Sequence, residues 1–245
     1  MRYPVDVHIH TIASGHAFST LQENARHAAS IGLKLIACTD HAMAMPGGPG
    51  WIYFSALRMV PRLIEGIEVL RGVEANILDF AGQLDIETRF ARRLDLVIAS
   101  YHDVCVAPGD IAQNTRGLAA VMELGFVDIF GHPGNPMFPI DIPAFVKKAR
   151  ETDTLIEINN SSLGRSRKGS EGNCLAIARE ARRLGAKLIL NSDAHICTDI
   201  GELDQAQALV DAAGVPAEQI MNTDPDKLKA YLYGKGKIQD LYDHA

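Results

Sequence analysis

Apolar, β-branched runs in this chain end in histidines and carboxylates, and that pairing constrains the fold more than any other feature. The runs cover residues 5–9, 33–39, 69–77, 94–99, 127–130, 155–158 and 187–190, a length suited to strands. His8, His41, Glu74, His102, His132 and Asp193 come at or just past the carboxyl end of a run. Parallel α/β folds place their active sites at that end. Buried structural histidines would instead be scattered along strands and helices.

Helix-like segments separate most of the runs. Thr20-Leu21-Gln22-Glu23 is a capping box that opens a helix through Ala25, Ala28 and Ala29 to Ile31. Asp110-Ile111-Ala112-Gln113 opens another by the same chemistry. Residues 144–150 and 176–184 carry helical spacing, and Thr223-Asp224-Pro225 starts the last helix, with proline in its first turn. Repeated strand–helix alternation predicts a mainly parallel sheet, open or closed. One α/β domain over residues 1–245 is the natural organisation, since α/β barrels reach this length undivided. Residues 43–50 form a Pro/Gly-rich loop that is either a flap over the site or inert.

The ligand types themselves point to metal. Successive side chains on a strand alternate faces, so His8 and His10 in H-x-H point the same way. Asp193-x-His195 repeats that geometry with one carboxylate, and His16 follows in a Gly/Ser loop. Seven imidazoles and two carboxylates exceed what one ion uses. They fit three ions if a carboxylate bridges, or two ions of higher coordination. The predominance of histidine favours zinc, with manganese or iron as alternatives. Three divalent ions against two carboxylates leave a pocket charge of about +4, which attracts an anion such as phosphate. Asp6 and Asp40, beside His8 and His41, either orient an imidazole or cap nearby backbone. His27 and His244 read as surface residues.

Composition limits the remaining classes. Net charge is −6, and no basic face of the kind that long nucleic acids need is evident. The dense basic stretch Arg165-Ser166-Arg167-Lys168 is either a solvated loop or a grip for phosphate. Cys38, Cys105, Cys174 and Cys197 are far apart and form no C-x-x-C, so no disulfide framework is expected. Cys38 reads as a small core residue, and Cys197 as filler near the ligand cluster. No apolar run approaches the roughly 18 residues of a membrane span, and the start lacks a signal peptide's apolar region. A cytoplasmic enzyme is expected.

At these residues the sequence resembles the PHP family (polymerase and histidinol phosphatase), and within it the YcdX-type probable phosphatases. The matching segments are D-V-H-I-H-T, T-D-H, G-V-E-A-N, the histidine after S-Y, G-H-P-G-N-P, N-S-D-A-H and E-I-N-N-S-S-L-G-R-S-R-K-G-S-E. They span nearly the whole chain in order. The resemblance implies a distorted (β/α)7 barrel with three metals at the carboxyl ends of the strands. One metal would be held by His8, His10, Glu74 and Asp193. A second would share Glu74 and add His102 and His132. The third would take His16, His41 and His195. The implied activity is hydrolysis of a small phosphate monoester. Glu74 would set the spacing of two ions, and Asp193 would accept a proton from water besides ligating. Arg165, Arg167 and Lys168 are the candidates for gripping phosphate, and Asn159 and Asn160 either do the same or turn the chain. Rival readings are a phosphodiesterase or exonuclease of the same family, which needs a groove for a second nucleotide, and an amidohydrolase, which uses a modified lysine as bridge. A metal-binding module without turnover is a further rival. The YcdX-type branch also allows a homotrimer.

Overall fold

A computed structural model describes residues 3–241, so the surface expectation for His244 lies outside the described residues. Strands β1 (Val5–Asp6), β2 (Leu35–Cys38), β3 (Leu63–Ile64), β4 (Ile67–Asn76), β5 (Leu96–Ser100), β6 (Ile129–Phe130), β7 (Leu155–Asn159) and β8 (Leu188–Asn191) form one sheet in the order β1-β2-β4-β5-β6-β7-β8. These seven pair in parallel, and β3 adds an antiparallel edge to β4. Strand β4 is long enough to pair with β2 through its first half and β5 through its second.

The ends of the sheet nearly meet. Between β1 and β8 the backbone contact reduces to a bridge at Ile9 and Ala194, where the His10 amide donates to the Ala194 carbonyl at 2.9 Å. Side-chain amides fill the rest of the seam. Asn191 Oδ1 accepts from the Val7 amide at 3.0 Å. Asn222 accepts from the Leu190 amide and donates to the carbonyls of Leu190 and Val5. Two asparagines thus satisfy backbone groups that a continuous ladder would otherwise pair.

One buried cluster draws on all seven parallel strands, including Val5, Leu35, Leu70, Leu96, Ile129, Leu155 and Ile189, and only the enclosed side of a barrel allows that. Leu228, Tyr231 and Leu232 of the last helix join it. The Tyr231 hydroxyl donates to the carbonyls of Asp128 and Asp153, just before β6 and β7. The last helix therefore plugs the amino-terminal end, opposite the ligand residues. A second cluster packs the outer faces of the strands against flanking helices.

The flanking helices are α1 (Leu21–Ser30), α2 (Trp51–Ala56), α3 (Thr88–Ala91), α4 (Ile111–Met122), α5 (Ile142–Glu151), α6 (Ser170–Leu184), α7 (Asp204–Ala213) and α8 (Pro225–Gly234). Capping boxes open α1 at Thr20 and α4 at Asp110 as expected, and Asp224 caps α8 before Pro225. Helix α6 begins earlier than its apolar spacing suggests. Helices α2, α3 and α7 and strand β3 were not expected. Helix α7 has no side-chain cap next to it; Asn160 supplies one from far away, accepting from the amides of Gln205 and Ala206. Strand β1 is shorter than its apolar run because the chain leaves the ladder toward its ligand residues, whereas β6 starts two residues later than its run and ends with it. Residues 43–50 are pinned at two points. A Cβ on Gly15 would lie 2.7 Å from the Gly47 carbonyl oxygen, so the two backbones touch, and the Ala44 amide donates to Asp85. No helix among the described residues is long and apolar enough to cross a membrane.

Candidate metal centre

The barrel brings all nine ligand-type residues to one mouth. His8 and His10 leave β1, His41 follows β2 and bridges to Glu74 inside β4, and His102, His132 and Asp193 stand two residues past β5, β6 and β8. His132 and Asp193 have φ of 33° and 58°. Non-glycine residues pay for that left-handed backbone, and such strain tends to sit at functional sites.

Glu74 is the hub. Its Oε2 lies 3.3 Å from His8 Nε2, 3.5 Å from His10 Nε2 and 2.8 Å from His41 Nδ1. Its Oε1 lies 3.4 Å from His102 Nε2 and 2.9 Å from His132 Nε2. Asp193 Oδ1 closes a second set of contacts, 3.5 Å from His8 Nε2 and 3.2 Å from His10 Nε2. A tetrahedral ion with donors at 2.0–2.1 Å requires donor separations of about 3.3–3.4 Å. The contacts of His8 and His10 with Glu74 and Asp193 fall on that spacing. His16 Nε2 and His195 Nε2 face each other at 3.2 Å, near the same value. Donor groups His8–His10–Asp193, His41–Glu74–His102 and His10–His41–His195 are each compact enough to hold an ion. His41 thus stands between groups, and His16 is exposed at the rim.

Most of the inward atoms form no hydrogen bond, while the outward ones do. His8 Nε2, His10 Nε2, His41 Nδ1, His102 Nε2, Glu74 Oε2 and Asp193 Oδ1 are buried without a hydrogen-bond partner. Such groups are costly unless something binds them. The distal nitrogens fix the tautomers. His8 Nδ1 donates to Glu157 Oε1 at 2.7 Å, and His102 Nδ1 donates to Asn76 Oδ1 at 2.8 Å. The Ser14 hydroxyl donates to Asp40 and accepts from the His41 amide, so His10 Nδ1 donates to it at 3.1 Å. In each case the other nitrogen is left bare toward the centre, the arrangement a metal-ligating imidazole needs.

Electrostatics agree with a ligand set. Burial, then His41, lowers His10 to about 3. Burial also lowers His102 and His132, with His132 lowered further by Arg167. Burial alone would raise Glu74 and Asp193. The surrounding imidazoles, His8 first, outweigh it and hold both carboxyls well below their usual range, with Arg167 adding to the effect at Asp193. His8 is the exception. Burial works against its proton, but Glu157, Glu74 and Asp193 together raise it well above an ordinary imidazole.

Glu157 escaped the sequence reading. It is buried in β7, and its four contacts reach His8, the His132 amide, Asn159 and Asn191. Asn159 does not face open space. Its Nδ2 donates to Glu157 and Asp193, and its Oδ1 accepts from Ser162. Asn160 turns the chain and caps α7. Asp6 takes the capping alternative, accepting from the amides of Ser192 and Gly201. Asp40 reaches an imidazole only through Ser14, and that imidazole is His10 rather than its neighbour His41. Its other contacts include Thr11 and the Tyr53 hydroxyl at 2.5 Å.

The basic loop divides by role. Arg167, itself at φ 46°, donates from Nη1 to Asp193 Oδ2 at 2.9 Å and to Ser162 and Ser166. Its Nε and Nη2 have no partner among the described residues. Arg165 is exposed and pairs with Asp199, and Lys168 is exposed.

No family model matches the sequence. The chain is similar to a curated "probable phosphatase" of Clostridium novyi, 48% identical over 241 residues that cover 98% of this chain and 99% of the relative. A "probable phosphatase" of Caldanaerobacter subterraneus is 50% identical over 238 residues, 97% of this chain and 94% of the relative. Among solved structures, a histidinol phosphate phosphatase from Lactococcus lactis, complexed with zinc, L-histidinol and phosphate, aligns with TM-score 0.60 at 17% identity, over 86% of this chain and 94% of the other. A structure of archaeal ribonuclease P with mature tRNA also aligns, at TM-score 0.58 and 12% identity, over 96% of this chain and 93% of that one. The barrel is of the type these structures share. At such identities they speak to fold alone.

Proposed function

Because this chain belongs to the family formed by these probable phosphatases, we propose that it is a metal-dependent phosphatase of the YcdX-type PHP branch, acting on a small phosphate monoester. The observation that carries this reading is the set of buried, unpartnered donors converging on Glu74 and Asp193 at tetrahedral spacing. In this reading one domain spans residues 1–245 and holds three divalent ions, preferably zinc, with manganese or iron as substitutes. His8, His10, Glu74 and Asp193 would hold one ion. Glu74, His102 and His132 would hold the second, and His16, His41 and His195 the third. Such ions supply water of lowered pKa and stabilise charge on the attacking and leaving oxygens.

The chain's own residues do the rest. The two Glu74 oxygens face different imidazole groups, which suits a carboxylate that sets the distance between two ions. Asp193 turns one oxygen to His8 and His10 and the other to Arg167. Asp193 would thus ligate, anchor Arg167 and accept a proton from the attacking water. Arg167 Nη1 is spent on that anchor. Its Nε and Nη2 remain for two phosphate oxygens, in the forked geometry guanidinium provides. Arg165 and Lys168 contribute longer-range charge, and Asn159 positions Glu157 and Asp193.

A phosphodiesterase of the same family is the second reading, since the donor set would serve a diester equally well. Hydrolysis of phosphate monoesters and diesters by protein of measured metal content separates the two. Turnover of monoesters at least about a hundredfold faster in kcat/KM, some 2.7 kcal/mol of transition-state preference, is the expected result. Faster turnover of diesters overturns the monoester assignment.

A further inference from the structure

Outside the metal centre, one groove is lined by hydrogen-bond donors and no carboxylate. It lies between α2 and α3, has a volume of about 100 Å³, and takes its polar lining from Ser55, Arg58, Arg71 and Arg93 over walls that include Phe54 and Phe90. In a chain with 30 acidic residues and net charge −6, three guanidinium groups around one groove need an explanation.

Local counter-charge does not supply it. The side chains of Ser55, Arg58 and Arg93 form no hydrogen bond or ion pair among the described residues. Arg71 spends Nε and Nη2 on the Val60 carbonyl, and its Nη1 comes only within 3.9 Å of Asp240. Arg62 already engages Asp240 as well as Asp95. Arg71 and Glu74 are three residues apart on β4, so they face opposite sides of the sheet. The groove therefore opens on the outside of the barrel, and none of the nine ligand-type residues lines it.

We infer that this groove is a binding site for a small phosphate-bearing ligand, separate from the metal centre. The two unengaged guanidinium forks of Arg58 and Arg93, with the Ser55 hydroxyl, match the many oxygens of a tetrahedral dianion, whereas a single carboxylate satisfies one fork. Phe54 and Phe90 offer apolar wall for an organic group beside the phosphate.

Non-hydrolysable phosphonates test this on the metal-loaded, full-length protein. Calorimetric titration with methylphosphonate and with phenylphosphonate, at about 0.15 M salt to suppress diffuse attraction, is expected to show two sites per chain. In the double variant Arg58→Ala/Arg93→Ala one site should weaken by roughly a hundredfold, the loss of two charge-assisted bonds. Melting temperature and phosphatase rate should be unchanged, since both residues are exposed and neither belongs to the metal centre. Tighter binding of phenylphosphonate at that site identifies an organic phosphate, and equal binding of the two probes identifies free phosphate. If the phosphatase reading fails, the wild type keeps one site and the double variant loses it. A titration identical in wild type and variant overturns the groove assignment, as does finding the groove covered by a second copy of the chain.

Discussion

At the scale of single residues, Arg167 and Glu157 offer the sharpest tests of the proposed centre. Arg167→Ala removes a charge-assisted grip worth about 1.5–3 kcal/mol, so kcat/KM should fall roughly tenfold to a hundredfold with metal content intact. Arg167→Lys should recover only part, because an ammonium cannot make the forked contact. Steady-state kinetics beside elemental analysis check both, and an unchanged kcat/KM in the alanine variant returns the loop to a solvated surface. Glu157→Gln makes a different prediction. The carboxylate accepts four hydrogen bonds; an amide has one acceptor oxygen and turns a donor against two others. Affinity for zinc should fall about 10–100-fold, although no proposed ligand is replaced. Competition with a chromophoric chelator measures it, and wild-type affinity would refute the role. The ligand-type residues were legible because H-x-H, D-x-H and strand-end carboxylates announce themselves one by one. Glu157 was legible in principle, since a charged residue inside the apolar run L-I-E-I-N must find partners once buried. Three of its four partners lie far off in sequence, just past β1, just past β6 and in β8, and no local pattern shows them.

At the scale of elements, local rules succeeded and long-range ones were hidden. The capping boxes at Thr20 and Asp110 follow from four consecutive residues, and both helices begin there. Helix α7 depends on Asn160, more than forty residues upstream, so its start carried no adjacent signal. The seam between β1 and β8 has the same character. Asn222 lies far from β1 in sequence, yet it joins Val5 to Leu190. Asn222→Ala would leave three buried backbone groups without partners and should destabilise the fold by on the order of 3 kcal/mol. Urea denaturation of metal-loaded protein reports it. A loss below about 0.5 kcal/mol, the range of an ordinary surface change, would mean that water or a backbone shift repairs the seam.

For the whole molecule, the parallel barrel with its site at the carboxyl ends was readable from the alternation of elements and from where each run stops. The grouping of donors was not. His41 stands 2.8 Å from Glu74 Oε2, between the groups that the resemblance assigned to different ions, because barrel closure brings all the strand ends to one point. In the proposed trinuclear centre two ions share Glu74, and metal stoichiometry tests that directly. Elemental analysis of the purified, zinc-supplemented protein should give three ions per chain, nine donors being more than two four-coordinate ions use. Glu74→Gln should lose at least one of them together with phosphatase activity, while His27→Ala should keep all three. A reproducible content of one ion per chain in the wild type, or full occupancy with normal activity in Glu74→Gln, would contradict the shared, multinuclear centre.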